Sequence, residues 1–115
     1  MNISLDEKHG FRVARIDEQF LTDEDIDTAI DIVKSVFRSG EPRVAISFGP
    51  AVFAYSKVLA FIAHCYRVAH IWQATLVVIA AAADFIDILE QTHLARVVPI
   101  CRSEDALADI LKGVS

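Results

Sequence analysis

Ala74-Thr75-Leu76-Val77-Val78-Ile79 decides the fold. It is a nearly continuous β-branched run, as expected for a central strand covered on both faces. The longest apolar run, Ala74 to Ala83, is broken only by Thr75. At ten residues it is half the roughly 20 that a spanning helix needs, so it is read as strand followed by helix, with no direct membrane insertion.

Upstream, Arg43-Val44-Ala45-Ile46-Ser47-Phe48 places Val44, Ile46 and Phe48 on one face of a second strand, and Gly49-Pro50 turns the chain. A helix with Ser56 as its expected N-cap joins the two strands. It carries two apolar stripes: Leu59, Ile62, Tyr66 and Ala69, and Val58, Phe61, Cys65 and Val68. A helix this apolar is either deeply buried or offers a surface to a partner. Further upstream, Thr22 caps a helix whose first turn, Asp23-Glu24-Asp25, suits the positive end of the helix dipole. Ile26, Ile30, Val33 and Phe37 form its apolar stripe, and Gly40 and Pro42 end it. Ile3-Ser4-Leu5 and Phe11 to Ile16 alternate on either side of Lys8-His9-Gly10, which predicts a hairpin whose core face stays open.

Downstream, Ala81 to Gln91 reads as a helix with Phe85, Ile88 and Leu89 inward. Val97-Val98-Pro99-Ile100-Cys101 reads as a last strand, at an edge or irregular because Pro99 has no amide proton. Ser103 is the expected cap of a final helix with Ala106, Leu107, Ile110 and Leu111 inward and Gly113 as its stop. The predicted architecture is α/β, a mixed sheet of about five strands with about four helices in the order ββαβαβαβα, forming one domain over residues 1–115.

Composition narrows the function classes. The formal net charge is −5, with 54% hydrophobic residues, which argues against a nucleic-acid-binding surface. The start, Met1-Asn2-Ile3-Ser4-Leu5-Asp6-Glu7, has neither a basic region nor a long apolar core, so a cytoplasmic location is expected. Cys65 and Cys101 are far apart and read as buried thiols. His9, His64, His70 and His93 do not share a helix face, and a metal site needs three or four converging ligands, so neither a metal nor another cofactor is expected. Asp84, Asp87 and Glu90 read either as an acidic recognition strip or as the wet side of a helix. Nucleophile, base and orienting group are not visible together, so no enzyme is expected.

The junction Phe53-Ala54-Tyr55-Ser56-Lys57-Val58-Leu59 is the candidate site. A loop here enters a helix whose first amides favour anions. Lys57 adds a positive charge at the positive end of the dipole. Either it leans into solvent, or it meets a negative group from a ligand or a partner.

With this element order and junction, the chain resembles the STAS family, the sulfate transporter and anti-sigma factor antagonist domains. The likeness rests on the hairpin and the acidic helix start at Thr22, the strand leading through Phe53 to the Ser56 helix, the strand Thr75 to Ile79, and the tail Leu94-Ala95-Arg96-Val97-Val98-Pro99-Ile100 followed by Ser103-Glu104-Asp105-Ala106-Leu107. The resemblance implies an Asp-Ser-Ser/Thr-Gly motif at the start of the second helix, whose second hydroxyl residue is phosphorylated by the partner kinase to block binding. Here Tyr55 stands for the Asp, Ser56 matches the first Ser, Lys57 occupies the phosphorylated position, and Val58 and Ala60 stand for glycines. Ser47 replaces the aspartate that the family carries at the end of the preceding strand. Lysine has no hydroxyl to phosphorylate, and its charge is opposite to that of a phosphate.

The resulting expectation is a non-catalytic, non-phosphorylatable signalling and regulation domain, resembling an anti-sigma factor antagonist, that binds a protein partner through Tyr55, Ser56, Lys57, Val58 and Phe61. The partner would be an anti-sigma factor or kinase-like protein. Alternatives are an accessory subunit of a lipid or ABC transport complex, a module sensing a small anion or apolar ligand, and a homodimer formed through the apolar second helix.

Overall fold

Thr22 closes a full capping box: its hydroxyl accepts from the Asp25 amide at 3.1 Å, and the Asp25 carboxylate accepts from the Thr22 amide at 3.3 Å. Two otherwise unsatisfied amides are thus paired at the start of helix α1, Asp23–Arg38. The computed structural model describes residues 3–19 and 22–113, with side chains as far as Ile110; Met1, Asn2 and the inward role expected for the Leu111 side chain lie outside the described residues. Ahead of α1, strands β1 (Ile3–Lys8) and β2 (Phe11–Ile16) form the predicted hairpin. Its two turn residues, His9 and Gly10, both adopt positive φ (52° and 83°). This double left-handed turn matches the right-handed twist of the strands.

The chain continues through β3 (Arg43–Phe48), α2 (Ser56–Ile71), β4 (Thr75–Ala80), α3 (Ala83–Gln91), a single turn α4 (Leu94–Val97), β5 (Ile100–Cys101) and α5 (Leu107–Gly113). The sheet order is β1-β2-β3-β4-β5, with β1 antiparallel and the others parallel. Parallel neighbours that follow each other in sequence need crossovers of one hand, so α1 to α4 pack on the same face. Only α5 is left for the opposite face.

Strand alternation divides the interior accordingly. Ile16, Val44, Ile46, Phe48, Leu76 and Val78 join the large cluster with the buried sides of α1, α2 and α3. Phe11, Val13, Ala45, Val77, Ile79 and Cys101 join the small cluster with Leu107 of α5. Both faces of the hairpin's inner strand are therefore core, which settles the face left open by the alternation of Phe11 to Ile16.

The architecture is the expected mixed α/β sheet of five strands, with five helices instead of about four. The difference arises around Pro99. Val97 closes the turn α4, and pairing with β4 is confined to Ile100 and Cys101 after the Pro99 carbonyl accepts from the Val78 amide at 3.0 Å. A residue without an amide proton and the restriction it places on its predecessor shorten the predicted strand to two residues. Ser103 does not cap α5 directly. Its hydroxyl accepts from the Ala106 amide at 3.4 Å in the turn before Leu107.

Candidate functional site

The β3–α2 junction sits where parallel strands end and helices begin, the usual place for ligand and partner contacts in open α/β sheets. Its first residues are positioned by a short hydrogen-bonded path. The Gly49 amide donates to the Ile16 carbonyl at 2.9 Å, and the Val52 amide donates to Gly49 at 3.1 Å. A Cβ on Gly49 would come within 2.7 Å of the Asp17 carboxylate, so the close approach of these two loops depends on glycine there. The Phe53 amide then donates to the Gln19 side chain at 2.6 Å. Val52 and Ala54 point inward, whereas Phe53 is 71% exposed.

Tyr55, not Ser56, is the N-cap of α2, and no side chain caps the helix. Ser56 is its first helical residue and is exposed. Lys57 neither leans freely into solvent nor waits for an external anion: its ammonium is hydrogen-bonded and ion-paired with Asp23 in the first turn of α1. That hydrogen bond, with the carboxylate's charge, raises the Lys57 pKa above its ordinary value. The local dipole mismatch is thus answered by a carboxylate from 34 residues earlier in the same chain.

Val58 and Phe61, expected on an outer partner-binding stripe with Cys65, are fully buried instead. Phe61 meets Phe48 of β3 edge to face at 6.3 Å, and Phe48 meets Phe85 of α3 at 5.0 Å. This aromatic chain locks the start of α2 to the sheet and to α3. Cys65 is buried in the same core, and burial pushes its thiol pKa far up, so it is held as an unreactive thiol. Helix α2 buries the face that carries Val58, Phe61, Ile62, Cys65, Val68 and Ala69, leaves Ser56, Ala60, Arg67, His70 and Ile71 exposed on the other, and holds Leu59 and Tyr66 half-buried at the margins.

What stays accessible is a groove of about 510 Å³ between the junction and α3, lined among others by Val52, Phe53, Tyr55, Asp84, Phe85 and Ile88. Of the predicted site residues only Tyr55 lines this groove; Ser56 and Lys57 follow it in the first turn of α2, with Lys57 held by α1, and Val58 and Phe61 do not line it. The acidic side chains Asp84, Asp87 and Glu90 are all exposed on α3. Asp23 and the groove wall from α3 were missed as parts of the site, because neither has a local sequence signal pointing to Lys57 or Phe53.

Among the described residues, no group of three His, Cys, Asp or Glu side chains converges as metal ligands. His64 on α2 has a shielded Nε2 without a hydrogen-bond partner, although the residue as a whole is only partly buried. Burial, then the charges of Lys34 and Arg67, lower its pKa. No described helix is long and apolar enough to cross a membrane.

No protein-family profile matches the chain, and no curated protein matches it. Solved structures do. An anti-sigma-factor antagonist (STAS) domain protein from Planctomyces limnophilus superposes with a TM-score of 0.74 at 13% identity, over 96% of this chain and 97% of that one. The anti-sigma factor antagonist SpoIIAA in its unphosphorylated form gives 0.65 at 8% identity, over 97% and 99%. The Bacillus cell fate determinant SpoIIAA in the phosphorylated form gives 0.64 at 10% identity, over 95% and 99%. Over nearly its whole length, the chain has the fold of the STAS domains.

Proposed function

We propose that this chain is a non-catalytic regulatory domain that docks a protein partner at the β3–α2 junction. The docking surface consists of Phe53, Tyr55, Ser56 and Lys57, with the groove wall formed by Phe85 and Ile88. One observation carries the reading: Lys57, which the resemblance sets at the family's phosphorylated position, is ion-paired with Asp23 of the same chain. A phosphorylated serine there would present a dianion to the partner; this chain presents a lysine–carboxylate pair whose state no kinase changes. Binding is then constitutive and governed by the amounts of the two proteins. Phe53 supports the same reading, since a large exposed aromatic beside an apolar groove is the side-chain type that anchors interfaces. The partner class is an anti-sigma factor or kinase-like switch protein, by likeness to the antagonists of the same fold.

The test is titration calorimetry against candidate anti-sigma kinases, together with intact-mass measurement after incubation with kinase and ATP. Binding that is lost in Phe53→Ala, with no mass gain in the wild type, supports the proposal. A stoichiometric phosphate on Ser56 that abolishes binding would overturn it.

A further inference from the structure

The opposite end of the molecule carries a surface of different chemistry. Helix α2 ends there in Ile71 and Trp72, exposed by 77% and 50%. Val97 of α4 is exposed by 46%. Two shallow depressions that share Tyr66 and His70 run between Ile71 and Val97: one is also lined by Arg67 and Ile71, the other by Thr75, Val97 and Pro99. The rings of Tyr66 and His70 lie 6.3 Å apart between them. Arg43 pairs in register with Thr75, so it borders the same patch, and Arg96 adjoins Val97. Arg43, Arg67 and Arg96 are all exposed.

This concentration of cations runs against the net charge of −5. The connecting segments at this end, 39–42, 72–74 and 92–99, hold a single carboxylate, Glu41, and the last turn of α3 adds the exposed Glu90, against Arg38, Arg43, Arg67 and Arg96. The other end is acidic, with Asp17, Glu18, Asp23, Glu24 and Asp84 in the segments that border it against Lys57 and Arg102. The molecule is therefore electrically polarised along α2. Protruding apolar side chains, one of them a tryptophan, ringed by arginines suit the boundary between acyl chains and anionic headgroups. Interfacial adsorption needs only a few apolar anchors and a basic rim.

We infer that the arginine-rimmed Ile71–Trp72–Val97 surface docks the protein onto anionic lipid headgroups, with α2 standing away from the bilayer. No segment spans the membrane in this mode. The acidic junction with Phe53 and Lys57 then faces away from the lipid, so both surfaces can act at once, and neither depends on the other.

Trp72 is the sole tryptophan, so its fluorescence reports directly on this surface. The full chain is mixed with vesicles of phosphatidylcholine alone, or of phosphatidylcholine with phosphatidylglycerol, and both emission and co-sedimentation are read. The expected result is a blue shift and sedimentation with the anionic vesicles only, both reversed by salt. Arg67→Glu is expected to lower partitioning about tenfold, and Ile71→Ser to weaken it, while Lys57→Ala does not. Circular dichroism establishes that each variant is folded. Folded wild-type protein that stays in the supernatant with anionic vesicles at low salt overturns the inference. So does binding unchanged by Arg67→Glu, or a concentration-dependent blue shift without vesicles, which would identify a second copy of the chain as the occupant.

Discussion

The two faces of the sheet are built on different physics. The face under α1 to α4 is a continuous apolar cluster that includes Phe37, Phe48, Phe61, Ile62 and Leu89. Among the described residues, the face under α5 holds a smaller cluster of seven buried residues, in which Leu107 represents the covering helix and against which Ala106 and Ile110 pack. Charge supplements that cover. Arg15, on the same strand face as Phe11 and Val13, donates two hydrogen bonds to Glu104, at 2.8 and 2.7 Å, and one to Asp6 at 3.1 Å. Lys8 approaches Glu104 at 3.5 Å, and His9 approaches Asp105 at 3.3 Å. The residues leading into α5 are thus clasped to the hairpin. Burial that scales with apolar area is insensitive to salt, whereas a partly exposed ion cluster is screened by it. One face is therefore a permanent core and the other a conditionally sealed one.

The largest effect that would sharpen this contrast is Phe61→Ala. Loss of a fully buried ring joined to Phe48 should cost about 3–5 kcal/mol, measured by denaturant unfolding. Leu107→Ala should cost less, about 2 kcal/mol, because Leu107 lies in the first turn of its helix, where the site can relax, and not at the centre of a core. The two cysteines are built-in probes, since Cys65 lies under the first face and Cys101 under the second. In native buffer, a thiol reagent should modify Cys101 by local release of α5, and Leu107→Ala should accelerate that reaction more than the modification of Cys65. Equal acceleration at both would mean that the faces open together, which breaks the comparison.

Acid should act on both faces, in two separate windows. His64 has its pKa lowered below the ordinary 6.5 by burial and then by Lys34 and Arg67. As pH falls below 6.5 the unfolded chain takes up a proton that the folded chain resists, so stability present above that pH is lost on acidification. The Glu104 pKa lies below the ordinary 4.5, chiefly through its hydrogen bond to Arg15. Its contribution is present above about 4.5 and is lost as pH falls through the folded value. Unfolding midpoints on either side of pH 6.5 should differ in the wild type and converge in His64→Gln. Glu104→Gln should cost about 1 kcal/mol at low salt, and less as salt rises. The smallest effect is expected for Lys57→Ala. Its pair with Asp23 is open to solvent, so the unfolding midpoint should hardly move; a large shift would make the pair structural instead of part of a docking surface.

Elements governed by local rules were legible from the residues alone. The cap and acidic first turn of α1, the alternation of β3, the β-branched run of β4 and the turn at His9-Gly10 each have a short-range cause, and each appears where it was expected. The irregularity at Pro99 was legible too, but its consequence, a lost strand start and an extra helical turn, depends on how much pairing Ile100 and Cys101 retain. The fate of the apolar stripe on α2 was not legible. Val58, Phe61 and Cys65 repeat equally well on a buried helix and on a docking helix, and only the flanking positions of α1 and α3 decide between them.

The sequence by itself determined the opening hairpin, the alternation of strands and longer helices after it, and the cationic character of the α2 start, because periodicity, capping and charge are read over a few residues. Tertiary structure alone decided that Lys57 is answered by Asp23, that Glu104 meets Arg15, and that Arg43 comes beside Thr75 at the end of the molecule where α2 closes. Those pairings join residues far apart in the chain. Their proximity is set by how the crossovers stack helices on the sheet, which no local pattern records.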